Sequence, residues 1–488
     1  MADRDAILFH APRATRTQTA IILVVALALG GFIRFIHLGI AEITGDEVAS
    51  WRIAGAPTLS GVMVRNRVVN PGTLGLNELI LHPWMQMFGD SEAALRSLSA
   101  VFGTVAIALV FFVACELLML PTDGGDGIEA NAPAVAITAA LSALITAMSL
   151  VMINYSREAR MYPLTLGLVL AQTGFFLRAM RRGGWPNFVA LAGLTALALA
   201  ASFTAAFAFA AEGAWFLWRL VMEWRRRRWL DAHAWQAAFG VLAGLALLAP
   251  LASAIALQLG SGVKQGKWTW IPPPNLHDPV QTFESASGGW VFALLAVLAV
   301  WAVLSCYRGR RNQIAFALIW MWLPVLVQLT VSYVFRPVDV TRYVLPSFIA
   351  FYILAALGIA SLRTAPMRTV AVVLLASTML VHVYVYDSKP RDRQFREAVA
   401  LAFDTAPGRE RIGVVNWDES VGSALYYAPP ARRADLVRFP ADGELATDVA
   451  QIRIIILPSY MAAGALARYR ALYPRLAGSF RRVEVRSR

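Results

Sequence analysis

Charge is what this sequence has least of. Only 15% of its 488 residues are Asp, Glu, Lys or Arg and 58% are hydrophobic, where a soluble protein of this size carries about 25% charged residues. A soluble globular class is excluded. Lysine is nearly missing, with only Lys264, Lys267 and Lys389, so the net charge of +13 comes from arginine. In a soluble protein that basicity would suggest nucleic acid. Here many arginines sit in short loops between apolar runs, as in cytoplasmic loops of membrane proteins, and no nucleic-acid partner is expected. The two cysteines, Cys115 and Cys306, lie in or beside apolar runs, so no outer domain can depend on a disulfide. P-loop, HExxH, Cys/His metal spacing and Ser-His-Asp order are all missing. "RATRTQTAIILVVALALGGFIRFIHL" has the basic-then-apolar order of a signal peptide but is span-length and lacks a small-x-small site, so it reads as an uncleaved first helix.

What the chain has instead is apolar runs, each near the roughly 20 residues that cross a bilayer. Eleven spans are expected, over 19–40, 93–119, 133–154, 160–180, 186–201, 203–222, 235–258, 289–307, 313–334, 341–361 and 367–386. The basic loops "RAMRRGG", "WRLVMEWRRRR", "YRGRRN" and "RTAPMR" fall at every second connection, which puts them and the N-terminus inside. The loop 120–132 shares that side by parity yet has no Lys or Arg. "TLGLNELILHPWMQMFG" (73–89) is too short and too polar to span and reads as an interfacial helix. The first outer loop is then 41–92. After about 387 the composition changes: "RQFREAVALAFDTA" has a helical period, while "RIGVVNW" and "IRIIILPS" read as buried strands. The fold class expected is an all-α polytopic membrane domain, 1–386, followed by a small extracytoplasmic α/β domain, 387–488.

Four clusters of chemistry-bearing residues collect on the outer face. Asp46 and Glu47 follow Thr44 in "TGDE", where Thr44 as N-cap and Glu47 three residues later fit a capping box. That accounts for Glu47 better than for Asp46, and on a helix the two side chains diverge by about 100°. "INYSREARMYPL" holds Tyr155, Arg157, Glu158, Arg160 and Tyr162. It is either a surface ion cluster of small energetic weight or an anion site built from arginine forks. Arg96 stands near the outer mouth of a span, where snorkelling would also explain it. The fourth cluster joins Lys264, Lys267, Trp268 and Trp270 to Arg336, Asp339 and Arg342; interfacial Trp is a common anchor, Arg336 can pair with Asp339, and Arg342 has no obvious local partner. A lipid phosphate with a polar head, attacked by a group that a carboxylate deprotonates, would use all four.

In the order of "FIRFIHLGIAEITGDEVAS", "NPGTLGLNELILHPWMQMFGDSEAALRSLSAVFG", "INYSREARMYPLTLGLVL" and "TRYVLPSFIAFYILAALGI", the chain resembles the GT-C glycosyltransferases that use polyprenyl-phosphate sugars. The likeness is to the bacterial family with the RgtA/B/C/D-like domain, with protein mannosyltransferase and aminoarabinose transferase relatives. It covers about residues 20–390, and "YSREARMY" is its most specific stretch. The resemblance implies a GT-C fold of about eleven transmembrane helices with interfacial helices in the first outer loop. It implies an inverting transferase in the bacterial inner membrane, moving a sugar from a polyprenyl-phosphate donor to an envelope glycan, lipid or protein at the outer face. Asp46 would be the general base, positioned or assisted by Glu47. Arg96, Arg157, Arg160, Arg342 and Lys267 would neutralise the leaving phosphate, with Tyr155, Tyr162 and Glu158 in support. Glu158 would orient the arginines or hold a divalent ion. No cofactor is certain, because two features linked to metal in relatives are replaced: "VVNPG" stands where some have a Glu-Lys pair, and Ser202, Phe203 and Thr204 where a histidine is frequent. A zinc site is not carried over. The rival readings are a lipid or solute transporter, which would bury charge at mid-membrane, and a non-catalytic relative, against which the intact Asp46 counts.

Overall fold

The computed structural model describes residues 13–121, 132–226, 229–264, 271, 273–275, 277–335, 337–388, 395–405, 411–414, 417–438, 452–458 and 481–485. Among them, eight helices are long and apolar enough to cross a membrane: Arg13–Phe35, Glu92–Leu118, Tyr162–Arg182, Ala205–Arg225, Ala232–Lys264, Gly289–Cys306, Arg311–Val334 and Ala365–Asp387. A further crossing is broken, with Ala132–Met148 and Leu150–Ser156 meeting at 61°. Two shorter apolar helices, Trp185–Ala201 and Leu345–Ala360, take the remaining expected places. Leu345–Ala360 is buried almost from end to end, so its apolarity serves helix packing rather than lipid contact.

The break has a local cause. The last carbonyls of a helix lack intrahelical partners and need donors. Here Arg34, fully buried, donates to the Thr146 carbonyl at 3.2 Å and the Ala147 carbonyl at 3.0 Å. Its Nε reaches the Ser156 hydroxyl at 3.2 Å on the far side of the bend. Gly103 makes room, since a Cβ there would overlap Ser156. Ser149, at the corner, shares a 2.7 Å hydrogen bond with the Tyr352 hydroxyl. The tilted Leu150–Ser156 helix then carries the "SREARMY" turn to the end of the bundle where the loop 41–92 lies.

That loop folds as three helices, Gly45–Ala54, Leu59–Val69 and Leu76–Phe88. Their connection is sewn to the bundle: Leu74 N–H donates to the Ala200 carbonyl, Phe203 N–H to the Gly72 carbonyl, and Gln258 to the Thr73 carbonyl. At the opposite end Glu116 and Arg181 form a buried ion pair and Gln313 donates to the Leu120 carbonyl. Most of the basic-poor loop 120–132 lies outside the described residues.

Beyond the last span come the helix Phe395–Thr405, strand β1 (Arg411–Val414), the helix Trp417–Tyr427, and strands β2 (Leu436–Arg438), β3 (Ile452–Pro458) and β4 (Arg481–Val485). All pairings are parallel, in the order β2-β1-β3-β4. Parallel neighbours need crossovers, and the described helices pack Phe395, Val399, Phe403 and Ala424 against Ile412, Val414 and Leu436.

Candidate active site

The site begins with a helix start. Thr44 has extended backbone, its hydroxyl accepts the Glu47 N–H, and the Glu47 carboxylate accepts the Thr44 N–H at 2.9 Å. The capping box expected from spacing alone is present. Glu47 does more than cap, however. Only 1% exposed, it accepts Arg96 Nε at 2.7 Å, Arg96 Nη2 at 2.9 Å and the Ala159 N–H at 3.0 Å. One carboxylate thereby joins the Gly45–Ala54 helix, the Glu92–Leu118 span and the "SREARMY" turn. Its lone pairs are committed, so the expected direct part in chemistry gives way to a positioning one.

Arg96 is corrected in the same way. Its Nη1 donates to the Leu38 and Ala41 carbonyls and its Nη2 to the Glu42 carbonyl, besides the two bonds to Glu47. With all five N–H groups engaged inside the protein, it has no donor left for a phosphate. Arg157 is also largely engaged: Nε and Nη2 donate to the Ile33 carbonyl, and Nη1 pairs with Asp387 at 2.8 Å. It ties the turn to the ends of the first and last spans rather than facing Asp46. Lys267 and Arg336 lie outside the described residues, while Asp339 meets Asp278 and its carboxyl is pushed up to about 6 by burial and by that neighbour.

Asp46, Arg160 and Arg342 are brought together. Asp46 keeps a side chain 52% exposed, and Oδ2 accepts Arg342 Nη1 at 3.2 Å. Arg160, buried, donates through Nη1 to the Asp46 carbonyl and to the Ser50 hydroxyl, each at 3.1 Å, and its buried Nε has no hydrogen-bond partner among the described residues. Both guanidinium groups lie against the Tyr162 ring, at 5.8 and 5.5 Å, where the π face favours cations. Tyr155 packs edge-on against Tyr162 at 5.4 Å. Glu158 is placed differently from the expectation that it orients the arginines. Among the described residues its carboxyl makes no hydrogen bond, and it is pushed up to about 7, first by burial and then by the Glu47 and Asp46 carboxylates, against the pull of Arg342 and Arg160.

Two contributors were not singled out from the sequence. Glu78, fully buried on the Leu76–Phe88 helix, accepts the Ser50 hydroxyl at 3.0 Å, and Ser50 in turn accepts Arg160. Glu42 accepts two backbone N–H groups of the helix that opens the C-terminal unit. A carboxylate on an interfacial segment was the available signal for each, but its partners are remote in sequence.

No family model and no curated protein matches the chain. Solved structures do. ArnT from Cupriavidus metallidurans in the apo state aligns over 95% of this chain and 89% of its own, at TM-score 0.59 and 11% identity. ArnT from the same organism bound to undecaprenyl phosphate aligns over 80% and 70%, at 0.53 and 14%. The apo oligosaccharyltransferase of Archaeoglobus fulgidus aligns over 86% and 64%, at 0.48 and 11%. The chain has the GT-C fold. At the end of this GT-C bundle that carries Asp46, a small pocket is lined by Tyr162, Thr165, Leu166, Thr204, Arg342 and Leu345. Thr165, one of its lining residues, has a buried Oγ1 with no hydrogen-bond partner among the described residues. Among the described residues no three His, Cys, Asp or Glu side chains could hold a metal ion together.

Proposed function

We propose that the chain is an inverting glycosyltransferase of the bacterial inner membrane. It moves a sugar from a polyprenyl-phosphate donor to a hydroxyl of an envelope glycolipid, polysaccharide or protein at the outer face, with residues 387–488 as its outer domain. The observation that carries this reading is the contrast between adjacent carboxylates: Glu47 is buried and saturated, while Asp46 is half-exposed and held at 3.2 Å by Arg342. The shared fold with a protein crystallised with undecaprenyl phosphate supports it.

In this mechanism Asp46 accepts the proton of the acceptor hydroxyl while that oxygen bonds to the anomeric carbon. The bond from the anomeric carbon to the phosphate oxygen breaks on the opposite face, and its electron pair leaves with the polyprenyl phosphate. Arg342 and Arg160, both held at Asp46, neutralise the departing dianion. One displacement inverts the anomeric centre, so no second carboxylate is required as nucleophile. The transporter reading looks for charge in the bundle interior; of the buried carboxyls on spans, Glu212 is bound by both Gln172 and Thr173 and Glu116 by Arg181, so both are accounted for as helix–helix contacts.

The test is release of undecaprenyl phosphate by purified protein from a panel of undecaprenyl-phosphate-linked hexoses and pentoses, with an envelope extract as acceptor. Asp46→Asn is expected to lower release by about 10²–10⁴-fold while still binding undecaprenyl phosphate. Release at the wild-type rate would remove Asp46 as the base.

A further inference from the structure

The segment that leads to Asp46 is gripped from two sides. On the bundle side, Arg96 takes the carbonyls of Leu38, Ala41 and Glu42. On the other side the C-terminal unit holds it. The Glu42 carboxylate accepts the Phe395 and Arg396 N–H groups, at 2.8 and 2.6 Å, which serves the first turn of Phe395–Thr405 where N–H groups lack intrahelical partners. The Tyr427 hydroxyl accepts the Ile43 N–H at 2.9 Å and donates to Glu92 at 2.9 Å, and Arg396 pairs with the same carboxylate at 2.7 Å. Ser423 donates to the Ile43 carbonyl. Tyr426 meets Trp51 edge-on at 5.2 Å and donates to the Asp90 carbonyl.

The closest approach is apolar. Gly422, in the helix Trp417–Tyr427, lies so near the Asp46 helix that a Cβ on it would stand 2.8 Å from Val48 Cγ1. Glu42, Ile43 and Val48 all fall within four residues of Asp46, and a helix transmits such a contact as a rigid body. Packed interiors do not absorb displacements of this kind without cost.

We infer that the C-terminal unit is a positioning clamp for the base: Glu42, Tyr427 and the Gly422–Val48 contact hold the Asp46 helix in register with Arg342, so that loosening the clamp lowers turnover rather than donor binding. This rests on the transferase reading above. It gives the unit a task in the reaction that is separate from any choice of acceptor, because the contacts run to the Asp46 helix itself. A misplacement of about 1 Å at a reacting group can cost on the order of 10²-fold in rate, which makes a contact distance of this kind consequential.

The experiment uses the full-length protein with three variants. Gly422→Ala pushes a methyl group against Val48 without removing a polar contact; Gly422→Ala/Val48→Ala takes the opposing methyl groups away; Tyr427→Phe deletes the hydroxyl bonded to Ile43. Turnover is read with the panel member the wild type uses, affinity with undecaprenyl phosphate alone, and clamping by hydrogen exchange over residues 39–48 without substrate. Gly422→Ala and Tyr427→Phe are expected to lower turnover at least tenfold, leave undecaprenyl phosphate affinity within twofold, and speed exchange in 39–48. The double variant should recover most of the loss. Unchanged turnover, a parallel loss of affinity, absence of rescue, or unchanged exchange would each overturn the clamp. Failure of the transferase reading looks different: the wild type itself would release no undecaprenyl phosphate from any panel member, and the clamp's catalytic role would fall with it.

Discussion

Replacing Arg96 with Leu should loosen the Asp46 end of the protein before it affects any ligand. The change strands Glu47, 1% exposed, with a negative charge and only the Thr44 and Ala159 N–H groups as remaining partners. Removing one partner of a buried ion pair costs about 3–5 kcal/mol. Three carbonyls, of Leu38, Ala41 and Glu42, lose their donor as well, at roughly 1 kcal/mol each before the loop relaxes. A total of about 6–8 kcal/mol is expected before the loop relaxes, and at about 2 °C per kcal/mol or less for a large chain the thermal midpoint falls by up to roughly 15 °C. Tryptophan fluorescence during heating in detergent measures it. Adding Glu47→Gln should recover part of the loss, because the stranded charge disappears. The reasoning fails if Arg96→Leu melts like the wild type while losing undecaprenyl phosphate binding, for then Arg96 serves the phosphate and not the fold.

Other outcomes follow from the same geometry. Glu158, raised from 4.5 to about 7 by burial first, binds a proton in the folded state that the unfolded chain releases. Its contribution is therefore full below about pH 4.5 and lost as pH rises through 7, at most ~3 kcal/mol; the melting advantage of Glu158→Gln over wild type should grow from pH 5 to 8, and a difference independent of pH would contradict the assignment. Asp339, raised to about 6 by burial and Asp278, has the same sign, so Asp339→Asn should gain stability relative to wild type as pH passes 6, read in the same melts. Gly358→Ala would drive a Cβ into the Leu298 backbone and separate two packed helices, costing about 1–3 kcal/mol or more; a midpoint equal to wild type would show that this crossing is loose. Arg160→Ala should weaken undecaprenyl phosphate binding more than acceptor binding, and equal loss of both would count against its phosphate role.

The membrane-spanning pattern was legible because it is a local property: run length sets whether a segment can cross, and arginine position sets loop bias. The eleven expected spans all find helices, although Trp185–Ala201 and Leu345–Ala360 are short and one span is bent at 61°. The bend was not legible. It depends on Arg34, which lies 113 residues from Ala147. The helix at 395–405 and strands β1 and β3 were also read correctly, from periodicity and from apolar runs between turn formers.

What the sequence determined by itself about Asp46 and Glu47 was their separation in role, since a capping box is decided over four residues: Thr44 and Glu47 close it, and Asp46 is left over. Which arginines serve that left-over carboxylate was decided only by tertiary structure. A guanidinium presents five donors to whatever acceptors surround it, and those acceptors come from anywhere in the chain. Arg96 meets Glu47 across 49 residues, Arg157 meets Asp387 across 230, and Arg342 meets Asp46 across 296. Sequence spacing made the arginines look alike. Folding saturates Arg96 and largely engages Arg157, and it sets Arg342 on the exposed carboxylate and Arg160 on the Asp46 backbone carbonyl.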